Sequence, residues 1–411
     1  MKEEILIAGA GPAGAATSLF LSKKKIPHVI IDKAKFPRDK ICGDALSGKV
    51  VHILNKLDKS FVKEFEDLEK EFTGSYGICF YAPNGKKLEV PFSSDPQKLK
   101  NAPGFISRRM NFDKFLFDKL DRNYANIHTE TELTKIEKTD LGIAATLKSN
   151  GKTQQKEFRL VVGAEGDRSV VANQLTAKKI NPQYYCAALR AYFTGVTGFH
   201  ESKFIELHFM KDILPGYFWI FPMNDGSANV GIGLLSSEVS EKKLNLKKKM
   251  LEIITMHPVI RNRFTNATMQ SEMQGWGLPL GSLRRKLSGN NFILAGDAGS
   301  LIDPFTGEGI GNALYSGMHA AEIAARATTE KKFDERFLAS YDEMIYNGLK
   351  DELRLSYGIQ KLAKKAWLFN FVVGKAIKNK MLRETITCMF DDIDIRARLR
   401  KPSFYLKLLI N

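Results

Sequence analysis

The chain opens with Ile5-Leu6-Ile7-Ala8, then Gly9-Ala10-Gly11-Pro12-Ala13-Gly14, a helix-forming run from Ala15 to Lys25, and His28-Val29-Ile30-Ile31 closed by Asp32. An apolar strand, a glycine turn, a helix and a second strand ending in an acid make a β-α-β unit built to hold a dinucleotide. Gly9 permits the tight turn, Gly11 lets the backbone approach a pyrophosphate, and Gly14 lets helix and strand pack closely. Amides at the helix N-terminus then face the phosphates. Asp32, eighteen residues after Gly14, is placed to accept hydrogen bonds from a ribose hydroxyl. The competing reading is an ordinary glycine-rich turn. The same stretch, Ile5 to Ser22, is eighteen uncharged residues, long enough to raise a membrane span or signal peptide. Gly9, Gly11, Pro12 and Gly14 would break a lipid-exposed helix, and Lys2 precedes the run against Glu3 and Glu4 rather than in a basic leader. A soluble or peripheral protein is expected.

With 411 residues the chain has room for two to three compact units at about 150 residues each. Its four cysteines, at 42, 79, 186 and 388, form no C-x-x-C pair, and its seven histidines show no H-x-x-x-H or H-x-H grouping. Disulfide scaffold and metal module are therefore set aside, and a reducing cytoplasm is expected. The net charge is +16, and from Lys361 onward twelve Lys/Arg stand against four Asp/Glu, so half the excess lies in the last 51 residues. No helix-turn-helix, zinc-finger or RNP-type pattern accompanies that charge, which argues against nucleic acid and leaves anionic cofactors or an anionic membrane surface as partners.

Two further segments repeat the strand-to-turn logic. Leu160-Val161-Val162-Gly163-Ala164-Glu165-Gly166-Asp167-Arg168-Ser169 runs from a buried strand into a turn. Phe292-Ile293-Leu294-Ala295-Gly296-Asp297-Ala298 ends a strand in Gly-Asp, and Pro304 to Ala313, with Gly307, Gly309 and Gly311, opens an alanine-rich helix. Three such sites suggest one long ligand.

These segments resemble the three FAD signatures of the p-hydroxybenzoate hydroxylase class of flavoproteins, and within it the chain resembles the geranylgeranyl reductase family. That pattern continues in Phe36-Pro37-Arg38, Cys42-Gly43-Asp44-Ala45-Leu46-Ser47, Arg109-Met110-Asn111-Phe112-Asp113, Gly216 to Pro222 and Asn229 to Gly233. Glu165 departs from it, standing where aspartate is usual. The resemblance implies a Rossmann-like α/β FAD-binding domain (1–70, 100–180 and 275–330), an inserted antiparallel β-sheet substrate domain (71–99 and 181–274) and a helical basic C-terminal segment (331–411). It implies that Gly9, Gly11, Ala13 and Gly14 hold the FAD pyrophosphate, Asp32 the adenosine ribose, and that Lys33 lies near the adenosine end. Arg109 is expected to reach the phosphates and Asp297 the ribityl chain, with Gly309 and Ile310 presenting amides to the flavin and Cys42, Gly43 and Ala45 completing the cofactor site.

Strand-like alternation marks residues 75–91 and 183–235, including Ala188 to Val196, Phe204 to Met210 and Tyr217 to Met223. Residues 240–256 and 307–328 and much of 333–390 read as helices. Cys42 is the candidate catalytic residue, a proton donor beside the flavin, against its plain reading as a small buried side chain. Tyr217, Trp219 and Phe221 share one strand face, either as sheet core or as an apolar wall for a hydrocarbon substrate. Trp367 to Val373 lies between Lys361, Lys364, Lys365 and Lys375, Lys378, Lys380, a stretch suited either to an anionic bilayer on the inner face of the membrane or to a helix with a solvated basic face.

The leading expectation is an FAD-dependent oxidoreductase that reduces C=C bonds of a polyprenyl or similar lipid, supplied with electrons by NAD(P)H or a reduced protein carrier. The alternative is a monooxygenase or halogenase. The halogenase-type W-x-W-x-I-P box survives only as Tyr217, Trp219 and Phe221-Pro222, which counts against chlorination and not against hydroxylation. A non-catalytic basic binding protein leaves three FAD segments unexplained.

Overall fold

The computed structural model describes residues 4–92, 101–176, 179–379 and 383. Its first strand β1 (Ile5–Ala8), helix α1 (Pro12–Lys23) and second strand β2 (His28–Ile31) form the predicted unit. The helix begins earlier than the sequence suggested because Pro12 presets its first turn, and it ends before Lys25, whose backbone turns left-handed at φ 58. β1 and β2 are the fourth and fifth strands of a six-stranded sheet ordered Ser288–Gly289, Phe292–Leu294, Leu160–Gly163, β1, β2, Ala125–His128. All neighbours but the first pair are parallel.

Such strands are buried on both faces and so read as continuous apolar runs. Alternate residues serve different cores. Ile5, Ile7, Ile30, Val162 and Ile293 pack with α1 and the helix Ile310–Glu330. Leu6, Val29, Ile31, Val161 and Leu294 pack with the three-stranded sheet of Thr131–Thr139, Gly142–Ser149 and Lys152–Phe158. The crossing of α1 and Ile310–Glu330 depends on small residues, since a Cβ on Gly317 would stand 2.3 Å from the Ala13 carbonyl oxygen.

The second large sheet has eight strands. Its path runs Thr268–Met269, Tyr185–Thr194, Ser227–Leu235, Tyr217–Pro222, Ile205–His208, Gly77–Tyr81, Lys87–Pro91, and Gln274–Pro279 also pairs with Tyr185–Thr194. Every pairing is antiparallel except Ile205–His208 with Gly77–Tyr81. Its two faces divide the aromatic strand as alternation requires. Phe218 and Ile220 pack with the helix Leu246–Met256, while Trp219 and Phe221 turn to the other side, with Phe209, Phe305 and Phe369.

The helix expected over 240–256 is two, Ser236–Glu241 and Leu246–Met256, separated where Lys243 turns left-handed at φ 50. Beyond 333 two helices follow, Glu335–Ala363 and Ala366–Lys378. The part of that expectation past 379, Lys380 included, lies outside the described residues apart from Arg383. The whole is a mixed α/β fold with an antiparallel sheet and C-terminal helices.

Candidate cofactor and substrate site

A single cavity of about 700 Å³ runs from Gly11 and Asp32 on the six-stranded sheet to Tyr217, Trp219 and Phe221 on the other. At one end, β2 delivers Asp32, whose two carboxylate oxygens accept from the Ala10 and Ala34 amides, each at 2.9 Å. These bonds hold the carboxylate rigidly, and its remaining lone pairs are what a ribose diol needs. The three glycines have unequal roles. Gly9, at φ +94, and Gly14 are demanded by the fold itself, because a Cβ would meet the Ala164 oxygen at 2.5 Å or the Gly9 oxygen at 1.7 Å. Around Gly11 nothing lies closer to such a Cβ than Arg38 Nη2 at 3.5 Å, so its freedom faces the cavity. The first turn of α1 has no side-chain cap, which leaves its amides for an anion. A dinucleotide fits this frame.

Lys33, Gly43, Ala45, Asp297, Gly309 and Ile310 all line the same cavity. Gly309 and Ile310 begin the helix Ile310–Glu330, again without a side-chain cap, and Asp297 lies 3.7 Å from Lys40 Nζ. Arg109 lines the cavity too, but its fork is engaged. Nε and Nη2 donate to the buried Asp113 at 2.7 and 2.8 Å, and Arg38 Nη1 donates to the same carboxylate at 2.8 Å. The unusual Glu165 accepts from Ser169 Oγ at 2.7 Å and from the Val171 amide at 3.2 Å. Its longer side chain thus reaches the start of the helix Val170–Leu175.

Cys42 is half-buried, beside the Arg109 guanidinium. Burial pushes its thiol up, against the opposing pull of Arg109, so it carries its proton at neutral pH. The loop that bears it is anchored by groups the sequence analysis did not single out. Asp44, fully buried at φ 70, accepts from Tyr192 Oη at 2.6 Å, from Asn229 Nδ2 at 2.8 Å and from the Arg109 amide at 3.2 Å. Burial pushes its carboxyl up to about 6, against the hydrogen bonds from Tyr192 and Asn229. Asn229 also donates to the Cys42 carbonyl at 2.8 Å and accepts from Trp219 Nε1 at 2.8 Å. One amide side chain thereby ties the cysteine loop to the aromatic strand. Tyr192 itself lies between two guanidinium groups, Arg190 at 4.3 Å and Arg108 at 4.5 Å.

Tyr217, Trp219 and Phe221 form a wall of the cavity, which extends past them to Ile78, Phe92, Phe105, Ile205 and Leu207. A Cβ on Gly43 would lie 3.3 Å from the Phe221 ring, so the cysteine loop packs directly on that wall. Behind the site, buried Lys49 donates to both oxygens of Glu352 at 3.0 Å and also to Asn312. This pair joins three helices, Gly48–Leu57, Ile310–Glu330 and Glu335–Ala363. Among the described residues no group of His, Cys, Asp and Glu could hold a metal ion.

A glycine cradle, a fixed acid after β2 and a cavity carried on to an apolar wall define a flavoprotein oxidoreductase. A family model described as FAD binding domain matches residues 2–344, and the chain belongs to that family. It is 29% identical over 367 residues to the digeranylgeranylglycerophospholipid reductase of Methanococcus vannielii, covering 87% of each chain. Among solved structures, a geranylgeranyl bacteriochlorophyll reductase-like protein from Thermoplasma acidophilum superposes with TM-score 0.78 at 21% identity, over 92% of this chain and 91% of that one. A flavin-dependent brominase also gives 0.78, at 19% identity over 94% and 93%, so these structures establish the shared fold and do not separate the reactions. The protein is an FAD-dependent oxidoreductase of geranylgeranyl reductase type.

Proposed function

We propose that this protein saturates isolated C=C bonds in a polyprenyl lipid. The observation that carries the reading is the placement of Cys42, a protonated thiol on a loop packed against the apolar wall of the same cavity that holds the nucleotide frame. The Gly9 to Gly14 turn, Asp32, Asp297 and the amides at Gly309 and Ile310 would hold FAD, which would supply a hydride when reduced. Tyr217, Trp219 and Phe221 line the chain of the substrate and keep water away from it. As the hydride joins one alkene carbon, the S–H bond of Cys42 breaks and its proton joins the other. The π electrons form the second C–H bond, and the thiolate left behind lies beside Arg109, whose charge stabilises it.

Electrons come from NAD(P)H or a reduced protein carrier. The protein also associates peripherally with anionic membrane. No described helix is long and apolar enough to cross a bilayer, but the helix Ala366–Lys378 exposes Trp367 and Phe371, 68% and 57% accessible, among exposed lysines.

Dithionite-reduced holoprotein incubated under nitrogen with geranylgeraniol tests the reaction. Saturated product is expected, and Cys42→Ser is expected to retain its flavin while turnover falls about tenfold or more, within the usual range for loss of an acid catalyst. Product formed only in air, and carrying oxygen, would sink the reductase reading in favour of hydroxylation. Unchanged kinetics in Cys42→Ser would reduce that residue to packing.

A further inference from the structure

The strands Tyr185–Thr194 and Gln274–Pro279 are antiparallel neighbours, with Ala188 opposite Trp276 and Arg190 opposite Gln274. Residues two apart share a face, and all four line the cavity. Two of them hold buried N–H groups that no acceptor among the described residues satisfies, Arg190 Nε and Trp276 Nε1. Arg190 is only 1% exposed. One of its terminal nitrogens reaches Asp39 at 2.6 Å and its guanidinium lies over Tyr192, which accounts for the plane of the group but not for Nε. Buried donors without acceptors are costly and few in native proteins.

Cations surround the second orphan. Lys40 Nζ lies 4.9 Å and Arg168 Cζ 5.3 Å from the Trp276 ring. Lys40 has Asp297 at 3.7 Å. Arg168 is exposed and has no carboxylate partner among the described residues. Two orphaned donors and two cations within one patch match an anion that only accepts hydrogen bonds, and phosphate is the common biological one. Arg190 and Trp276 stand on the eight-stranded sheet, while Lys40 and Arg168 reach them from the loops that follow His28–Ile31 and Leu160–Gly163. Apolar Ile78 and Leu207, which also line the cavity, stand on Gly77–Tyr81 and Ile205–His208, several strands across the sheet from Gln274–Pro279, so a hydrocarbon chain lodged against them would leave its polar end elsewhere in the cavity.

We propose that Arg190, Trp276, Lys40 and Arg168 form a phosphate-recognising subsite for the second ligand that shares the cavity with FAD. Two ligands offer that chemistry, the phosphate end of a prenyl lipid and the phosphates of a reduced nicotinamide dinucleotide. The lipid source rests on the reductase reading; the nucleotide source does not.

Trp276→Phe keeps the ring and deletes one orphan donor, while Arg168→Gln removes one exposed cation without disturbing the core. Oxidised holoprotein is titrated with NADPH, with geranylgeranyl monophosphate and with phosphate-free geranylgeraniol, followed by the flavin spectrum, and FAD affinity is measured on the apoprotein. Each variant is expected to weaken at least one phosphate ligand about tenfold, the scale of one hydrogen bond to a charged group, with FAD and geranylgeraniol affinities kept. Weakening on the lipid arm assigns the subsite to a headgroup, and weakening on the nucleotide arm assigns it to the electron donor. The proposal is overturned if the wild type binds neither phosphate ligand or if both bind the variants normally. It is equally overturned if FAD or geranylgeraniol weakens in parallel, which would make the cluster part of the flavin site or of the cavity's shape. The reductase reading is judged separately, on reduction of geranylgeraniol by the wild type, which needs no phosphate.

Discussion

The two walls of the cavity are built by opposite means. On the nucleotide side the main chain does the holding: Gly9 and Gly14 are fixed by backbone contacts, and even Asp32 is oriented by two amides. On the other side the holding is done by buried side chains, with Asp44, Tyr192, Asn229 and Trp219 satisfying one another. A backbone cradle binds a ligand common to many enzymes and tolerates little change. A side-chain network sets a local charge and a local shape, so it is where one fold can be turned from one reaction to another.

The largest effects should separate glycines that serve the fold from those that serve the ligand. Gly14→Ala places a Cβ 1.7 Å from a carbonyl oxygen and should abolish soluble folded protein. Gly11→Ala meets no backbone and keeps an allowed conformation at φ −70. It should fold with an unchanged apoprotein Tm while binding FAD about tenfold or more weakly, a loss of roughly 1.4 kcal/mol. Full flavin retention in Gly11→Ala would remove the pyrophosphate from that position.

The side-chain wall should announce itself in pH dependence. Burial raises the Asp44 carboxyl to about 6, so from about pH 4 to pH 6 the folded protein keeps a proton that the unfolded chain has lost. Stability from this group therefore falls as pH rises through that window and is level above it, by about 3 kcal/mol at most. Asp44→Asn should erase the slope, so its Tm should gain on the wild type between about pH 4 and 6 and hold a constant difference beyond. Parallel Tm curves for the two proteins would show that Asp44 ionises normally.

The smallest effect lies on the outer surface. Wild-type protein should bind anionic vesicles weakly at low salt and release them as ionic strength rises, because exposed charges reach only about 8 Å at physiological salt. Replacing Trp367 and Phe371 by alanine should remove most of the remaining binding in a flotation assay. Absent or salt-independent binding would make the helix Ala366–Lys378 an ordinary solvated surface.

The same contrast explains what could be read without a structure. The β-α-β unit was legible because its constraints are local: a turn, a close helix and an acid follow one another within Ile5 to Asp32. Alternation along Tyr217 to Pro222 likewise gave the aromatic face. Asp44, Tyr192 and Asn229 were not legible in these roles, because their bonds join positions 148 and 185 residues apart, and nothing local marks a tyrosine as the partner of a distant carboxylate. Trp276 escaped for a related reason, since its significance lies in a missing acceptor. Glu165 was visible as a departure, yet its accommodation by Ser169 and Val171 depended on how the next helix begins.

Whether the cavity transfers a hydride to carbon is tested most directly by the flavin itself. Holoprotein reduced with dithionite, freed of excess reductant and mixed with geranylgeraniol in the absence of oxygen, should recover the spectrum of oxidised flavin. Each recovered flavin should correspond to one product double bond replaced by two hydrogens. Flavin that stays reduced until air is admitted, with no saturated product before that point, would contradict the account.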